Sequence, residues 1–152
     1  MNQAAHETHM RRAIALARRH LGQTAENPSV GCVIAADGEV LGEGVTGIGG
    51  RPHAEELALQ AAGAKAWGAV AYVTLEPCGA RSSGAASCAQ RLVEAGVSQV
   101  FVACHDPSPY ADGQGLALLA AAGLEVHLGC LKAEAQLLYT DYRPAGAPPA
   151  RG

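Results

Sequence analysis

The spacing of apolar residues changes several times along the chain, and each change marks an element. Between residues 8 and 21, Met10, Ala13, Ile14, Ala17 and Leu21 recur at helical intervals, while Arg11, Arg12, Arg18 and Arg19 fall mainly on other faces. This predicts an amphipathic helix, capped by Thr8 or a neighbour and stopped by Gly22. Asn27-Pro28-Ser29 reads as a turn. Val30–Ala36 and Glu39–Val45 read as two short strands joined at Asp37-Gly38, a dipeptide that accepts the positive φ angles of a tight hairpin. Residues 46–52 read as a flexible glycine-rich loop that delivers the chain to His53.

From His53 the period is helical again, with Leu57, Ala58, Ala61 and Ala62 as the packing stripe and Gly63 near its end. Ala69–Leu75 is a nearly continuous apolar run, as expected for a strand buried on both faces. A loop follows through Ser87, then a helix over about 88–95 that ends at Gly96. Gln99–Ala103 reads as a second buried strand, 104–112 as loop, and Gly115–Ala122 as a helix stopped by Gly123. Leu124–Leu128 reads as a strand and Leu131–Tyr142 as a last helix. Helices between strands imply crossover connections, and so parallel neighbours after an initial antiparallel hairpin. The expected fold is α/β, a mixed five-stranded sheet with helices on both faces. It forms one domain over residues 1–143, followed by a proline-rich tail, 144–152, that reads as disordered or linker-like.

Composition narrows the class. The 152 residues are 49% apolar and 16% charged, enough to bury a core in one domain. The apolar share is small in size: 19 glycines, alanine at about a fifth of the chain, and only 4% aromatics. Such a chain packs helices closely on a sheet. A net charge of -3 excludes a domain that holds nucleic acid mainly by neutralising phosphates. No run of apolar residues is long enough to span a membrane, and the N-terminus lacks the apolar block of a signal peptide, so a cytoplasmic protein is expected.

Five cysteines, an odd number, argue against a disulfide framework. Cys32, Cys104 and Cys130 lie in or beside apolar runs and read as buried, inert thiols. Cys78 and Cys88 instead flank a polar loop. His53 opens a helix after a proline, Cys78 leaves a buried strand in Glu76-Pro77-Cys78, and Cys88 opens the next helix. Helix N-termini present unpaired N–H groups and partial positive charge, which favour thiolate over thiol. One imidazole and two thiolates make a three-ligand zinc site with its fourth position open, the arrangement of catalytic rather than structural zinc. Glu55, two residues beyond His53, points elsewhere than a ligand would and reads as a proton shuttle beside the open position. Taken singly, His53 and Glu55 would be solvated helix-start residues, and the two cysteines buried thiols or a redox pair. A CxxC redox motif is absent. Zinc-dependent nucleobase deaminases carry H-x-E followed by P-C-x-x-C. His53-Ala54-Glu55 and Pro77-Cys78 match that pattern, whereas nine residues separate Cys78 from Cys88.

Further blocks extend the match: Met10-Arg11-Arg12-Ala13, Asn27-Pro28-Ser29-Val30-Gly31-Cys32-Val33-Ile34, Gly42-Glu43-Gly44, Pro52-His53-Ala54-Glu55, Tyr72-Val73-Thr74-Leu75-Glu76-Pro77-Cys78 and Asp106-Pro107-Ser108-Pro109. On these residues, from about Met10 to Leu138, the chain resembles the deaminase domain of the riboflavin-biosynthesis deaminase/reductase, within the cytidine-deaminase-like superfamily. The resemblance implies a three-layer α/β/α fold and hydrolytic deamination of a small aminopyrimidine carrying a phosphoribosylamino group. It implies zinc on His53, Cys78 and Cys88, with proton transfer by Glu55. Asn27 would hydrogen-bond the pyrimidine, and Asp106 and Ser108 match a D-P-N-P segment near the substrate, with Ser108 in place of Asn. Homodimers or homotetramers are implied as well.

The loop between the cysteines departs from the family's C-S-H-x-G-R-T-P-P-C: it is one residue longer and lacks the His and the Pro-Pro. Arg81 within it is the candidate phosphate contact. The family's reductase domain has no counterpart in these residues, so reduction is expected from a separate polypeptide. Two rival readings stay open. One keeps the chemistry on another nucleobase, a nucleoside or a tRNA base, the last disfavoured because no basic cluster accompanies the site. The other is a non-catalytic, zinc-stabilised binding module, against which Glu55 stands.

Overall fold

Five strands, β1 (Gly31–Ala36), β2 (Glu39–Val45), β3 (Val70–Leu75), β4 (Gln99–Cys104) and β5 (Glu125–Leu128), form one mixed sheet in the computed structural model. Their order is β2-β1-β3-β4-β5. The structure describes residues 2–79, 86–106 and 113–142. The proline-rich tail and most of the loop between Cys78 and Cys88 lie outside them. Strand β1 pairs antiparallel with both β2 and β3, while β3, β4 and β5 run parallel. The expectation of parallel neighbours across every crossover therefore holds for β3-β4-β5 but not for the first crossover. That connection leaves β2 and passes over β1, so β2 and β3 point the same way with the hairpin partner between them.

The helices are α1 (Gln3–Arg19), α2 (Ala54–Ala62), α3 (Cys88–Glu94), α4 (Gln114–Ala121) and α5 (Lys132–Gln136). Helices α2, α3 and α4 cover one face of the sheet, and α1 and α5 the other, where Arg11 reaches Glu134. As its apolar run predicts, β3 is buried at all six positions. Hairpin residues Asp37 and Gly38 take φ angles of 52° and 80°, as the Asp-Gly signal requires. Among the described residues, no helix is long and apolar enough to cross a membrane.

Three helices and one loop differ from the sequence reading; in α2, Leu57 is half-buried and Ala61 exposed, because the stripe that meets the sheet starts at Ala54. Helix α1 starts at Gln3 rather than near Thr8, because Asn2 Oδ1 caps it by accepting from Ala5 N at 3.0 Å. Its added turn carries His6, which with His9 of the next turn packs inward as an aromatic ring. His6 stacks on Phe101 with centroids 4.1 Å apart, and His9 tilts against Tyr72 at 5.0 Å. The last helix is short, α5 giving way to a 3-10 turn at Leu137–Tyr139. The loop over 46–52, read as flexible, is tied at several points: Gly47 N donates to Pro52 O, Gly50 N to Gly47 O and Gly49 N to Gln23 O.

Small residues set the distance between layers. A Cβ on Gly31 would lie 1.8 Å from Ala13 O of α1, and one on Gly44 would lie 2.2 Å from Ala54 O of α2. Gly42 meets α2 in the same way at Ala58 O. Ala54, Ala58 and Ala62 are the buried stripe of α2, so a glycine-bearing strand lies against an alanine-bearing helix almost backbone to backbone. This is the close packing that the composition predicts, and it fixes where α2 begins. The start of α2, the end of β3 and the start of α3 all meet at one edge of the sheet, which is also where the chain enters β1.

Gly44→Ala forces α2 off the sheet and is expected to cost about 2–3 kcal/mol, lowering Tm by roughly 5–10 °C. A thermal melt with Tm unchanged would contradict the close-approach account.

Candidate metal centre

His53 is the residue that precedes α2. Its backbone is extended (φ -75°, ψ 153°) and its side chain does not cap the helix. The imidazole turns instead toward Cys88, with Nδ1 3.3 Å from Sγ. Cys78 lies just past β3, after a fully buried Pro77. Its carbonyl accepts from Ala89 N at 3.1 Å, and its Sγ accepts from Cys88 N at 3.3 Å. Ser87 caps α3 through Oγ, which accepts from Gln90 N, so Cys88 is the first helical residue. The ligand atoms of His53, Cys78 and Cys88 all lie within 4.8 Å of one another.

The two thiols titrate in opposite directions. Hydrogen bonding from Cys88 draws Cys78 down to about 4, helped by the His53 side chain and the Cys88 N–H and opposed by burial. The same hydrogen bond, together with burial, pushes Cys88 well up. Between the two, the hydrogen bond favours the thiolate on Cys78 and the thiol on Cys88. Glu55, only 4% exposed, is pushed up to about 7, first by burial and then by the negative charge of Cys78, with His53 pulling the other way. A carboxyl poised near neutrality beside a cluster of metal-type donors can both accept and release a proton. One imidazole and two sulfurs are the donor set that zinc takes up, with a fourth position left for a small ligand.

The remaining expected residues divide. Asn27 is half-buried, and its Nδ2 donates to Gly50 O at 2.9 Å, which ties the entry to β1 to the loop before His53. Asp106 is buried, and its Oδ1 accepts from Tyr142 Oη at 3.1 Å. Arg81 and Ser108 lie outside the described residues. Cys32 and Cys104 are buried, as expected for core thiols, whereas Cys130 is only half-buried, because β5 is a largely exposed edge strand.

The sequence reading assigned no role to Glu76. Its side chain is fully buried, with Oε1 accepting from Gly113 N at 3.2 Å and Oε2 from Leu116 N at 3.2 Å. Gly113 precedes α4 and has no side chain to cap it, so Glu76 supplies the acceptor from another strand. Asp106 N approaches the same carboxylate at 3.4 Å. Gly115 completes the contact, because a Cβ there would lie 1.8 Å from Pro77 O. The start of α4 is thereby clamped to the segment that presents Cys78. A lone acid between an apolar strand and a proline was the available signal.

Residues 3–104 match the family described as the cytidine and deoxycytidylate deaminase zinc-binding region, a span holding His53, Glu55, Cys78 and Cys88. The chain belongs to this deaminase family. Relatives of the deaminase domain include the riboflavin biosynthesis protein RibD of Escherichia coli, 47% identical over 132 residues, and RibD of Haemophilus influenzae, 47% identical over 127. These alignments cover 87% and 84% of this chain but 36% and 34% of the relatives. The chain spans about a third of the length of the curated relatives it matches. Among solved structures, Acinetobacter baumannii RibD (form 2) is similar with a TM-score of 0.87 at 44% identity, covering 93% of this chain and 40% of that one. A Thermotoga maritima diaminohydroxyphosphoribosylaminopyrimidine deaminase/5-amino-6-(5-phosphoribosylamino)uracil reductase is similar at a TM-score of 0.84 and 36% identity, covering 91% and 40%. The resemblance and the fold class read from the sequence are both borne out.

If Cys88 is one of three ligands, Cys88→Ala deaminase domain purified from zinc-supplemented cells should hold well under half the metal of the wild type. Full occupancy by elemental analysis would remove Cys88 from the ligand set.

Proposed function

We propose that this domain catalyses zinc-dependent hydrolytic deamination of an aminopyrimidine bearing a phosphoribosylamino group, the substrate class named for the deaminase/reductase relative. The observation that carries the reading is the buried carboxyl of Glu55 against the His53, Cys78 and Cys88 cluster. A site that only stabilised the fold would gain nothing from an acid placed there.

His53 Nδ1 and the sulfurs of Cys78 and Cys88 would hold zinc, which when bound would lower the pKa of a water toward neutrality. Glu55 accepts a proton and delivers it to the ring nitrogen next to the amine-bearing carbon, which makes that carbon electrophilic. After water adds, Glu55 takes the proton of the new hydroxyl and passes it to the amine, and ammonia leaves as the carbonyl forms. One carboxyl acts as base and then as acid, which is why an apparent pKa near neutrality suits it. Asn27 and Asp106 would orient the pyrimidine, and Arg81 and Ser108 would complete the substrate side. The oligomer would be a homodimer or homotetramer, working in the cytoplasm with a reductase activity to consume the product.

A second reading keeps this chemistry on another nucleobase, nucleoside or tRNA base. The Gly79–Ser87 loop favours weighing it, since it is longer than the family pattern and lacks that pattern's His and Pro-Pro. Ammonia release across a panel of aminopyrimidines, cytosines and purines separates the two. The proposed reading expects turnover only with the phosphoribosylamino-pyrimidine.

Glu55→Gln is expected to keep zinc and lower kcat by about 10²–10⁴-fold. Turnover near the wild-type rate in a zinc-replete Glu55→Gln protein would remove Glu55 from the reaction.

A further inference from the structure

The last described segment, from α5 to Tyr142, lies against the edge of the sheet that carries the metal centre. Tyr139 is half-buried there: its hydroxyl donates to Ser29 O at 2.9 Å and lies 2.7 Å from Thr74 Oγ1, and Gly31 N donates to that same Oγ1 at 3.1 Å. A phenol has one proton, and here it goes to the Ser29 carbonyl. The Thr74 proton must then point at the Tyr139 oxygen, leaving a Thr74 lone pair for Gly31 N–H. The direction of the chain is fixed: Gly31 N–H to Thr74, Thr74 to Tyr139, Tyr139 to the Ser29 carbonyl. It binds the segment entering β1, which carries Asn27, to the strand that leads to Cys78.

Three residues later, the Tyr142 hydroxyl donates to Asp106 Oδ1 at 3.1 Å, and the two tyrosine rings meet edge-on with centroids 6.3 Å apart. Burial, reinforced by the negative charges of Glu55 and Asp106, keeps the Tyr139 phenol protonated at any physiological pH. One short segment thus bonds directly to Asp106 and to Ser29, two residues after Asn27. The metal-type ligands have further supports of their own: His53 and Cys88 stand at the starts of α2 and α3, and Cys78 accepts from Ala89 N and Cys88 N.

We propose that Tyr139 and Tyr142 are positioning residues for the substrate side of the site, Tyr139 through the Asn27–Gly31 segment and Tyr142 through the Asp106 carboxylate. The substrate role of those targets rests on the deaminase reading above; the positioning itself rests on the hydrogen bonds.

The test compares zinc-loaded wild type, Tyr139→Phe and Tyr142→Phe in the full chain. Zinc content should match wild type in both variants. Tyr142→Phe should raise KM about tenfold with kcat within about twofold, and should add nothing further in an Asp106→Ala background. Hydrogen–deuterium exchange should quicken over residues 24–31 in Tyr139→Phe and around Asp106 in Tyr142→Phe. An unchanged KM in Tyr142→Phe, an effect that simply adds to that of Asp106→Ala, or unaltered exchange in these segments overturns the proposal. If the wild type releases no ammonia from the aminopyrimidine, the deaminase reading fails, and the exchange pattern alone decides the positioning role. If Tyr139→Phe does not fold, Tyr142→Phe carries the test.

Discussion

Two thiols and an imidazole within 4.8 Å, at an edge where two helices begin, set the terms for everything around them. Two thiolates at that distance repel, and the hydrogen bond between the pair favours the charge on Cys78 and the proton on Cys88. A divalent cation held there would resolve the conflict, because both sulfurs could then be anionic. Glu55 belongs to the same balance, its carboxyl raised partly by the Cys78 charge and restrained by His53. The ligand set and the proton-transfer group therefore respond to one shared electrostatic field, and a change in either is felt by both.

That field depends on short-range packing. Glycines on β1 and β2 let α1 and α2 approach the sheet backbone to backbone, and alanines line the facing stripe of α2. On the far side of the cluster, Gly115 lets the start of α4 touch Pro77, while Glu76 satisfies its N–H groups. Bulky residues are few, so the precision of the site comes from contact between main chains rather than from large interlocking side chains. The aromatic stack of His6, Phe101 and His127 is the exception, on the opposite face of the sheet.

Much of this was legible in the residues. His53, Cys78 and Cys88 each stand where the hydrophobic period changes, and such junctions are where a chain can present side chains at the edge of a sheet. The hairpin, the buried β3 and the family blocks were readable for the same local reasons. What escaped the sequence was non-local. Glu76 caps a helix whose N–H groups come 37 and 40 residues later. The Tyr139 hydroxyl meets Ser29, 110 residues away. His6 and His9 fall outside the apolar stripe that the periodicity marks, although their rings pack as aromatics against Tyr72 and Phe101. The placement of β1 between β2 and β3 depends on which strand pairs with which, and no periodicity encodes that.

The central claim, that one histidine and two cysteines hold a zinc ion with a position left open, is tested most directly by zinc-edge X-ray absorption on the purified chain. The account predicts one zinc per chain bound by two sulfurs at about 2.3 Å and by nitrogen or oxygen ligands at about 2.0–2.1 Å in the other two positions. A first shell of four sulfurs, or a shell without sulfur, would contradict it.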